Sequence, residues 1–249
     1  MPAQQAPTGD DDQTKPPPPA SLWERLARPA PAPRTTLTPQ RIAEAAIAIA
    51  DAEGLDAVTM RRLATTLGVA PMAAYRYVSG KDELIDLMVD FVYGELSPGT
   101  PSTGWRDTMR TLALHLRAMN LAHPWIVRAG AVPLTPNQLA IPERAFAALA
   151  DHGLDADTTM AVFRTVTGYV HGSVAAELAL RTLQREHGWS DGDETRAGLA
   201  PRMSFLMGTG RYPTYQRYLH EATRKDDPTW QFETGLDCVL AGIATHLGI

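Results

Sequence analysis

From Leu37 onward, apolar residues recur every three or four positions, the spacing of helices that bury one face. Thr38 followed by Pro39 predicts an N-cap with proline at the first helical position. Ile42, Ala45, Ala46, Ile49 and Ala50 continue that stripe, and Gly54 stops it. A second helix is predicted from Thr59, with Leu63, Ala64 and Leu67 inward and Gly68 as its stop. Only Val69 and Ala70 separate it from a third short helix, Pro71–Val78. Gly80 breaks that element, and Lys81–Tyr93 reads as a fourth, carrying Leu84, Ile85, Leu87, Met88 and Phe91.

The remainder also follows helical spacing. Trp105–Ala122 carries Met109, Leu112, Leu116 and Met119 on one stripe. Pro136–Asp151 is alanine-rich, and Asp155–Glu186 is long, with Met160, Phe163, Val166, Val170, Val174 and Leu178. Residues 187–200 are polar and contain glycine, so they read as a loop. Helical signals return at 201–207 and 213–224, and Asp227–Leu247 is a last helix opened by Asp-Pro. No stretch sustains β alternation. The predicted class is all-α, with roughly nine or ten helices by this test. Leu55, Val58, Leu63, Leu67 and Val69 are expected in the core.

Composition narrows the function classes. Hydrophobic residues make up 44% of 249, ample for a packed core. The single cysteine, Cys238, excludes an internal disulfide framework and a multi-cysteine metal site. The seven histidines show neither HExxH nor HxH spacing, and no GxSxG or P-loop is present. The sequence therefore predicts no enzyme, no metal and no cofactor. It contains no apolar run of membrane-spanning length and no secretory h-region, so a soluble, cytoplasmic protein without membrane contact is expected. Ten of the 20 prolines fall in the first 39 residues, and residues 1–20 offer almost nothing to bury, so disorder is expected there. Residues 22–34 carry Arg25, Arg28 and Arg34 against one glutamate, and read either as a linker or as a basic arm.

A net charge of −5 argues against a general nucleic-acid coat. Residues 55–81 run the other way: Arg61, Arg62, Arg76 and Lys81 face only Asp56, a local net of +3. Two short helices over a glycine turn form a helix-turn-helix, whose second helix lies shallowly in a major groove. In Pro71–Val78, Ala74 and Val78 point inward by spacing, whereas Met72, Ala73, Tyr75, Arg76 and Tyr77 point outward. The stretch LTPQRIAEAAIAIADAEGLDAVTMRRLATTLGVAPMAAYRYVSGKDELIDLMVD closely resembles the DNA-binding domain of TetR-family transcriptional regulators. The likeness rests on AEGLDAVTMRRLA, the LGV turn, YRYV and GKDEL. GWRDTMRTLALHLRAMNLAHPWIVRAG and GYVHGSVAAELAL resemble, more loosely, the tetracycline-repressor-like C-terminal domain.

The resemblance implies a homodimeric regulator, most simply a repressor, that binds a double-stranded DNA operator and a small-molecule effector. An activator or co-regulator is the alternative. It implies three regions: 1–35 an extension with a basic arm, 36–95 the DNA-binding domain, and 96–249 the ligand-binding and dimerisation domain. Thr59, Arg61, Pro71, Met72, Ala73, Tyr75, Arg76, Tyr77 and Lys81 match DNA-contact positions. Physically, a hydroxyl and free N–H groups at a helix start attract phosphate, as does an arginine. Arg76 suits either a phosphate or a guanine edge, Tyr75 and Tyr77 suit phosphate, and Met72 and Ala73 suit a thymine methyl. Arg62 is either another contact or a solvated side chain.

Candidate effector contacts are Trp105, His115, Met119, Trp125, Phe163, Val166 and His171, with Asn120, Tyr169, Phe205 and Met207 beside them. Each is also compatible with ordinary packing. The expected wall combines 105–122, the turn His123–Trp125 and the Phe163/Val166 face. Leu112, Leu116 and Gly130 stand where tetracycline repressors hold their drug, which points to a more lipophilic effector. The helices Asp155–Glu186 and Asp227–Leu247 are expected to pair with their symmetry mates. Gly168, Gly172, Ala175, Ala176 and Ala179 would lie on one side, and Leu236, Val239, Leu240 and Ile243 on the other.

Overall fold

The structure, a computed structural model, describes residues 20–28, 37–96, 104–129 and 135–249. The disorder expected of residues 1–20 concerns, except at residue 20, positions outside the described ones, and Arg34 and Gly130 also lie outside them. The chain divides into two units, Met1–Thr36 and Leu37–Ile249. In the first, α1 (Leu22–Ala27) opens on a reciprocal cap between Ser21 and Glu24. Arg25 donates to the Ala20 carbonyl, and Arg28 ends the helix in extended conformation.

The second unit runs through α2 (Pro39–Glu53), a 3₁₀ turn (Leu55–Ala57), α3 (Met60–Leu67), α4 (Pro71–Ala74) and α5 (Lys81–Gly94). It continues through α6 (Trp105–Ala122), α7 (Ile126–Ala129), α8 (Pro136–Leu149), a 3₁₀ turn (Ala150–His152) and α9 (Ala156–His187). It ends with α10 (Gly192–Gly208), α11 (Pro213–Glu221) and α12 (Pro228–Leu247). Among the described residues there is no strand. The all-α class holds. Among the described residues there are twelve α-helices, and the two beyond the expected nine or ten are the short α1 and α7.

Side-chain caps fix most starts. Thr38, Thr59, Thr135, Asp155 and Asp227 each accept the N–H three residues on, satisfying a donor that the helix cannot. The expected loop at 187–200 needs correction, because α10 begins at Gly192. Asp191 caps Glu194, the Glu194 carboxylate holds the Ser190 N–H, and Gln184 donates to Thr195. These polar anchors start a helix whose glycines and Pro201 hide it from a periodicity test.

Packing follows the buried stripes. α2 packs on α3 and α5, α5 on α8, α6 on α8 and α9, and α9 on α12. Ile42, Leu63, Leu84, Met88, Met109, Leu149, Leu236 and Leu240 are the largest side chains fully withdrawn from water. Val58 and Leu63 are core as expected, while Leu55, Leu67 and Val69 are only half-buried because they lie at the edges of the turns. α9 and α12 touch closely: the Tyr169 hydroxyl donates to the Phe232 carbonyl at 2.8 Å over Gly235. A Cβ on Gly235 would run into that tyrosine. Arg117 pairs with Glu177 at 2.7 Å and lies over the Phe232 ring, tying α6 to α9 and α12. No helix among the described residues is long and apolar enough to cross a membrane.

Candidate nucleic-acid interface

The N-terminal edge of the second unit is a buried frame with an open outer face. Thr59, itself exposed, caps α3 by accepting the Arg62 N–H at 3.1 Å, and its hydroxyl keeps a proton to donate. Gly68 ends α3 with φ +66, a left-handed conformation that any residue with a Cβ adopts at a cost. The chain therefore turns sharply, and Pro71 starts α4 with its fixed φ. Behind this edge Val58, Leu63, Ala64, Ala74 and Val78 are almost wholly withdrawn from water.

The expected helix Pro71–Val78 is shorter than its spacing implied. α4 ends at Ala74, and Tyr75–Tyr77 form a turn whose Tyr77 and Val78 N–H groups both reach the Ala74 carbonyl. Val78 then plugs the core, pulling the chain off the helical path. On the outer face, Met72 is 72% exposed and Tyr75 43% exposed, and Pro71 and Arg76 are also open. Ala73 is half-buried. Tyr77 differs from the outward reading: it is half-buried and donates its hydroxyl to the Leu37 carbonyl at 2.7 Å. That proton is committed within the protein, so Tyr77 braces the turn from behind.

The cations separate in the same way. Arg62 pairs with Glu53 at 2.6 Å, bridging α3 to α2, which favours a structural reading of this residue. Arg61 and Arg76 are exposed, and Lys81 stands exposed at the start of α5. Among the described residues no carboxylate pairs with any of the three. Three open cations, a cap hydroxyl, a tyrosine and small or flexible apolar groups are thus presented within residues 59–81. This is a donor and charge set suited to a phosphate backbone flanking a groove. Asp86, farther along α5, has its pKa raised by burial and then by the neighbouring charges of Asp82 and Glu83.

The effector candidates do not converge on one site. A cleft of about 510 Å³ lies between the C-terminal end of α5 and α6. Val92, Glu95, Leu96, Ala118 and Ala122 line it, together with His115, Met119 and His123. Of the seven candidates it gathers only His115 and Met119. Trp105 is buried with its ring edge toward His152, and Phe163 meets Phe146 edge-to-face. Val166 is buried in packing, and the expected wall from α9 is missing from this cleft. Asn120 is buried with its amide bonded to the Leu116 carbonyl, and Phe205 is 76% exposed. His171 lies open on α9, yet nearby protein mass costs it hydration and lowers its pKa.

Sequence spacing missed one polar cluster. His123 and Trp125, just beyond α6, both donate to Asp51 on α2, 72 and 74 positions away. No local pattern encodes a pairing of that range.

A glycine-turned pair of short helices, with open cations on its outer edge and a helical body behind, defines a helix-turn-helix DNA-binding regulator. The chain belongs to the TetR family. Residues 42–88 match the family model for bacterial regulatory proteins of the tetR family. Residues 97–247 match that for the tetracyclin repressor-like C-terminal domain. The HTH-type transcriptional repressor DrrR1 of Streptomyces coeruleorubidus is 33% identical over 226 residues, spanning 89% of this chain and 83% of its own. An HTH-type transcriptional regulator of Saccharopolyspora erythraea is 32% identical over 93% of this chain and 94% of its own. Among solved structures, ActR of Streptomyces coelicolor in complex with actinorhodin superposes with a TM-score of 0.66. It is 29% identical and covers 85% of this chain and 97% of its own. Members of this family are regulators and not enzymes, and this chain is a DNA-binding transcriptional regulator.

Proposed function

We propose that the chain is a repressor that binds a palindromic operator as a homodimer and leaves it when a small, largely apolar molecule binds. The observation that carries the DNA-reading part is the α3–α4 face, where Arg61, Arg76 and Lys81 stand open on a frame of fully buried residues. In this reading Thr59, Arg61 and Lys81 hold phosphates, and Pro71, Met72, Ala73 and Tyr75 approach the bases. Arg76 takes a phosphate or a guanine edge. Tyr77 supports the turn. Residues 36–95 act as the reading head and 96–249 as the effector and dimer body. Arg25, Arg28 and Arg34 extend the phosphate contacts through a basic arm. The repressor sense is supported by the likeness to DrrR1.

Three features support the dimer. α9 exposes Gly168, Gly172, Ala175, Ala176 and Ala179, small residues that permit close helix approach. On α12 the exposed side differs from the expected stripe. Leu236 and Leu240 point into the protomer, leaving Cys238, Ala241 and Gly242 open, with Val239 and Ile243 half-buried. A groove of about 510 Å³ runs between α9 and α12, lined by Ala161, Val162, Val239, Gly242 and Ile243 among others. Further, α10 and α11 bury only Thr195 between them, yet expose Phe205, Leu206, Tyr212, Tyr215 and Tyr218. Ordering such helices costs about 1–2 kcal/mol per residue in backbone entropy, a cost that a second copy offsets by covering these side chains.

The effector reading is supported by the α5–α6 cleft, whose walls are mainly apolar with Glu95, His115 and His123 as the polar groups. ActR, similar in fold, holds actinorhodin. Selection of duplexes from a random library by the wild-type protein tests the proposal. Enrichment of a two-fold symmetric site, lost in Arg76→Ala, is the expected result. Enrichment of no sequence over the starting pool would remove it.

A further inference from the structure

We propose that Asp51 is the joint through which an occupant of the α5–α6 cleft acts on the reading head, with His123 as the moving part. The inference rests on the DNA-reading proposal only for its consequence in operator binding. Asp51 sits in the last turn of α2, where the helix dipole disfavours a carboxylate. Among the described residues, the donors that reach its side chain come from the body. His123 Nδ1 lies 2.9 and 3.0 Å from the two carboxylate oxygens, and Trp125 Nε1 donates at 2.8 Å. Trp125 is only 4% exposed, so its N–H has little water to turn to if Asp51 moves. The neighbouring link, Arg128 to Asp56 at 3.7 Å, joins two highly exposed side chains and holds little.

The same His123 lines the cleft with His115 and Met119. One imidazole therefore faces two demands: Nδ1 serves Asp51, while the residue forms part of the cleft wall. A molecule that pushes His123 aside breaks the bond to Asp51. α2 packs on α3 and α5, α3 packs on α4, and Ile42, Ala43, Ala46 and Ala50 of α2 are buried, so displacement at Asp51 carries α3 and α4 with it. Asp51 and His123 are positioning residues in this scheme, as neither touches DNA. A ligand shifts the head only by binding the two arrangements unequally, and a His123 that must leave its bond for the ligand to enter supplies that inequality.

Bulk in the cleft serves as the probe in place of an effector: Ala118→Trp, at an exposed wall position, fills it. In full-length protein labelled at indole nitrogens, Trp125→Phe identifies the Trp125 N–H resonance. Ala118→Trp is expected to move that resonance toward its position in Asp51→Asn, whereas an unmoved resonance in a folded variant overturns the proposal. This arm needs no DNA, so failure of the operator reading leaves it intact. On the duplex enriched by the wild type, Asp51→Asn and Ala118→Trp are each expected to weaken binding about tenfold. The double variant should be no weaker than about tenfold, because both open one joint. A roughly hundredfold loss in the double variant, the product of independent effects, would also overturn the coupling.

Discussion

The α3–α4 face and the α10–α11 segment both put large side chains into water, but on different foundations. Behind Met72 and Tyr75 stand Leu63, Ala64, Ala74 and Val78, all essentially inaccessible to water. Behind Phe205, Tyr212, Tyr215 and Tyr218 the protomer supplies almost nothing, since α11 buries no residue and α10 only Thr195. Exposure on a buried frame marks a surface shaped in advance for its partner. Exposure without a frame is what a segment would show if a partner, in the proposed dimer, supplied its cohesion. The first suits DNA, a stiff polyanion that rewards fixed cation spacing. The second suits a second protein copy, which buries apolar area on both sides at once.

Substitutions separate the two cases. The largest effect is expected in the frame: Leu63→Ala should cost about 2–5 kcal/mol by opening a cavity. Thermal unfolding should show this loss at every protein concentration. Phe205→Ser should leave the isolated protomer nearly as stable. It should instead lower the concentration-dependent part of the melting temperature and raise the dimer dissociation constant in sedimentation. If Phe205→Ser behaved like Leu63→Ala, the contrast would collapse.

Next in size are the DNA contacts proposed for the α3–α4 face. Arg76→Ala should lose about 1–3 kcal/mol of specific binding, while Arg61→Ala and Lys81→Ala weaken all sequences alike. Each of the latter should reduce the salt slope by about 1 per phosphate contact removed, measured by titration at several ionic strengths. Tyr77→Phe is expected to act mainly on folding, costing about 0.5–1.5 kcal/mol for the lost bond to the Leu37 carbonyl. A Tyr77→Phe variant of wild-type stability but crippled binding would return this hydroxyl to the DNA.

The smallest effect is a pH dependence. The pKa of His171 is held below the ordinary imidazole range, because surrounding protein strips hydration from its charged form. The unfolded chain therefore binds its proton more readily. Stability from this residue is unaffected above the unfolded value and falls as pH drops through it toward the lower folded value. His171→Gln should flatten that part of the wild-type stability curve in denaturant titrations. A steeper curve in the variant would show the sign to be wrong.

The helices were legible because their caps and stripes are local: Thr38-Pro39, Thr59 and Asp155 announce their own starts. α10 was not, since its start depends on Gln184 and on Asp226, which pairs with Arg196 from 30 positions away. On the reading face, spacing separated inward Ala74 and Val78 from outward Met72, Tyr75 and Arg76. It failed at Tyr77 because the helix ends three residues earlier, and the turn swings that hydroxyl onto Leu37. The cleft was less legible still. His115 and Met119 share a helix face, but Val92, Glu95 and Leu96 join them only through the packing of α5 beside α6. Asp51 carried no sequence signal at all, because a carboxylate near a helix end reads as solvated until its distant donors are seen.

The measurement that bears most directly on the central claim combines symmetry with mass. Hydroxyl-radical footprinting of the selected duplex should show two protected half-sites about one helical turn apart, related by a two-fold axis. Light scattering of the same complex should give two chains per site, or an even number. Arg76→Ala should lose the footprint while keeping the wild-type mass and melting temperature. A single unsymmetrical footprint under one chain, or a footprint that survives in Arg76→Ala, would contradict a dimer reading DNA through the α3–α4 face.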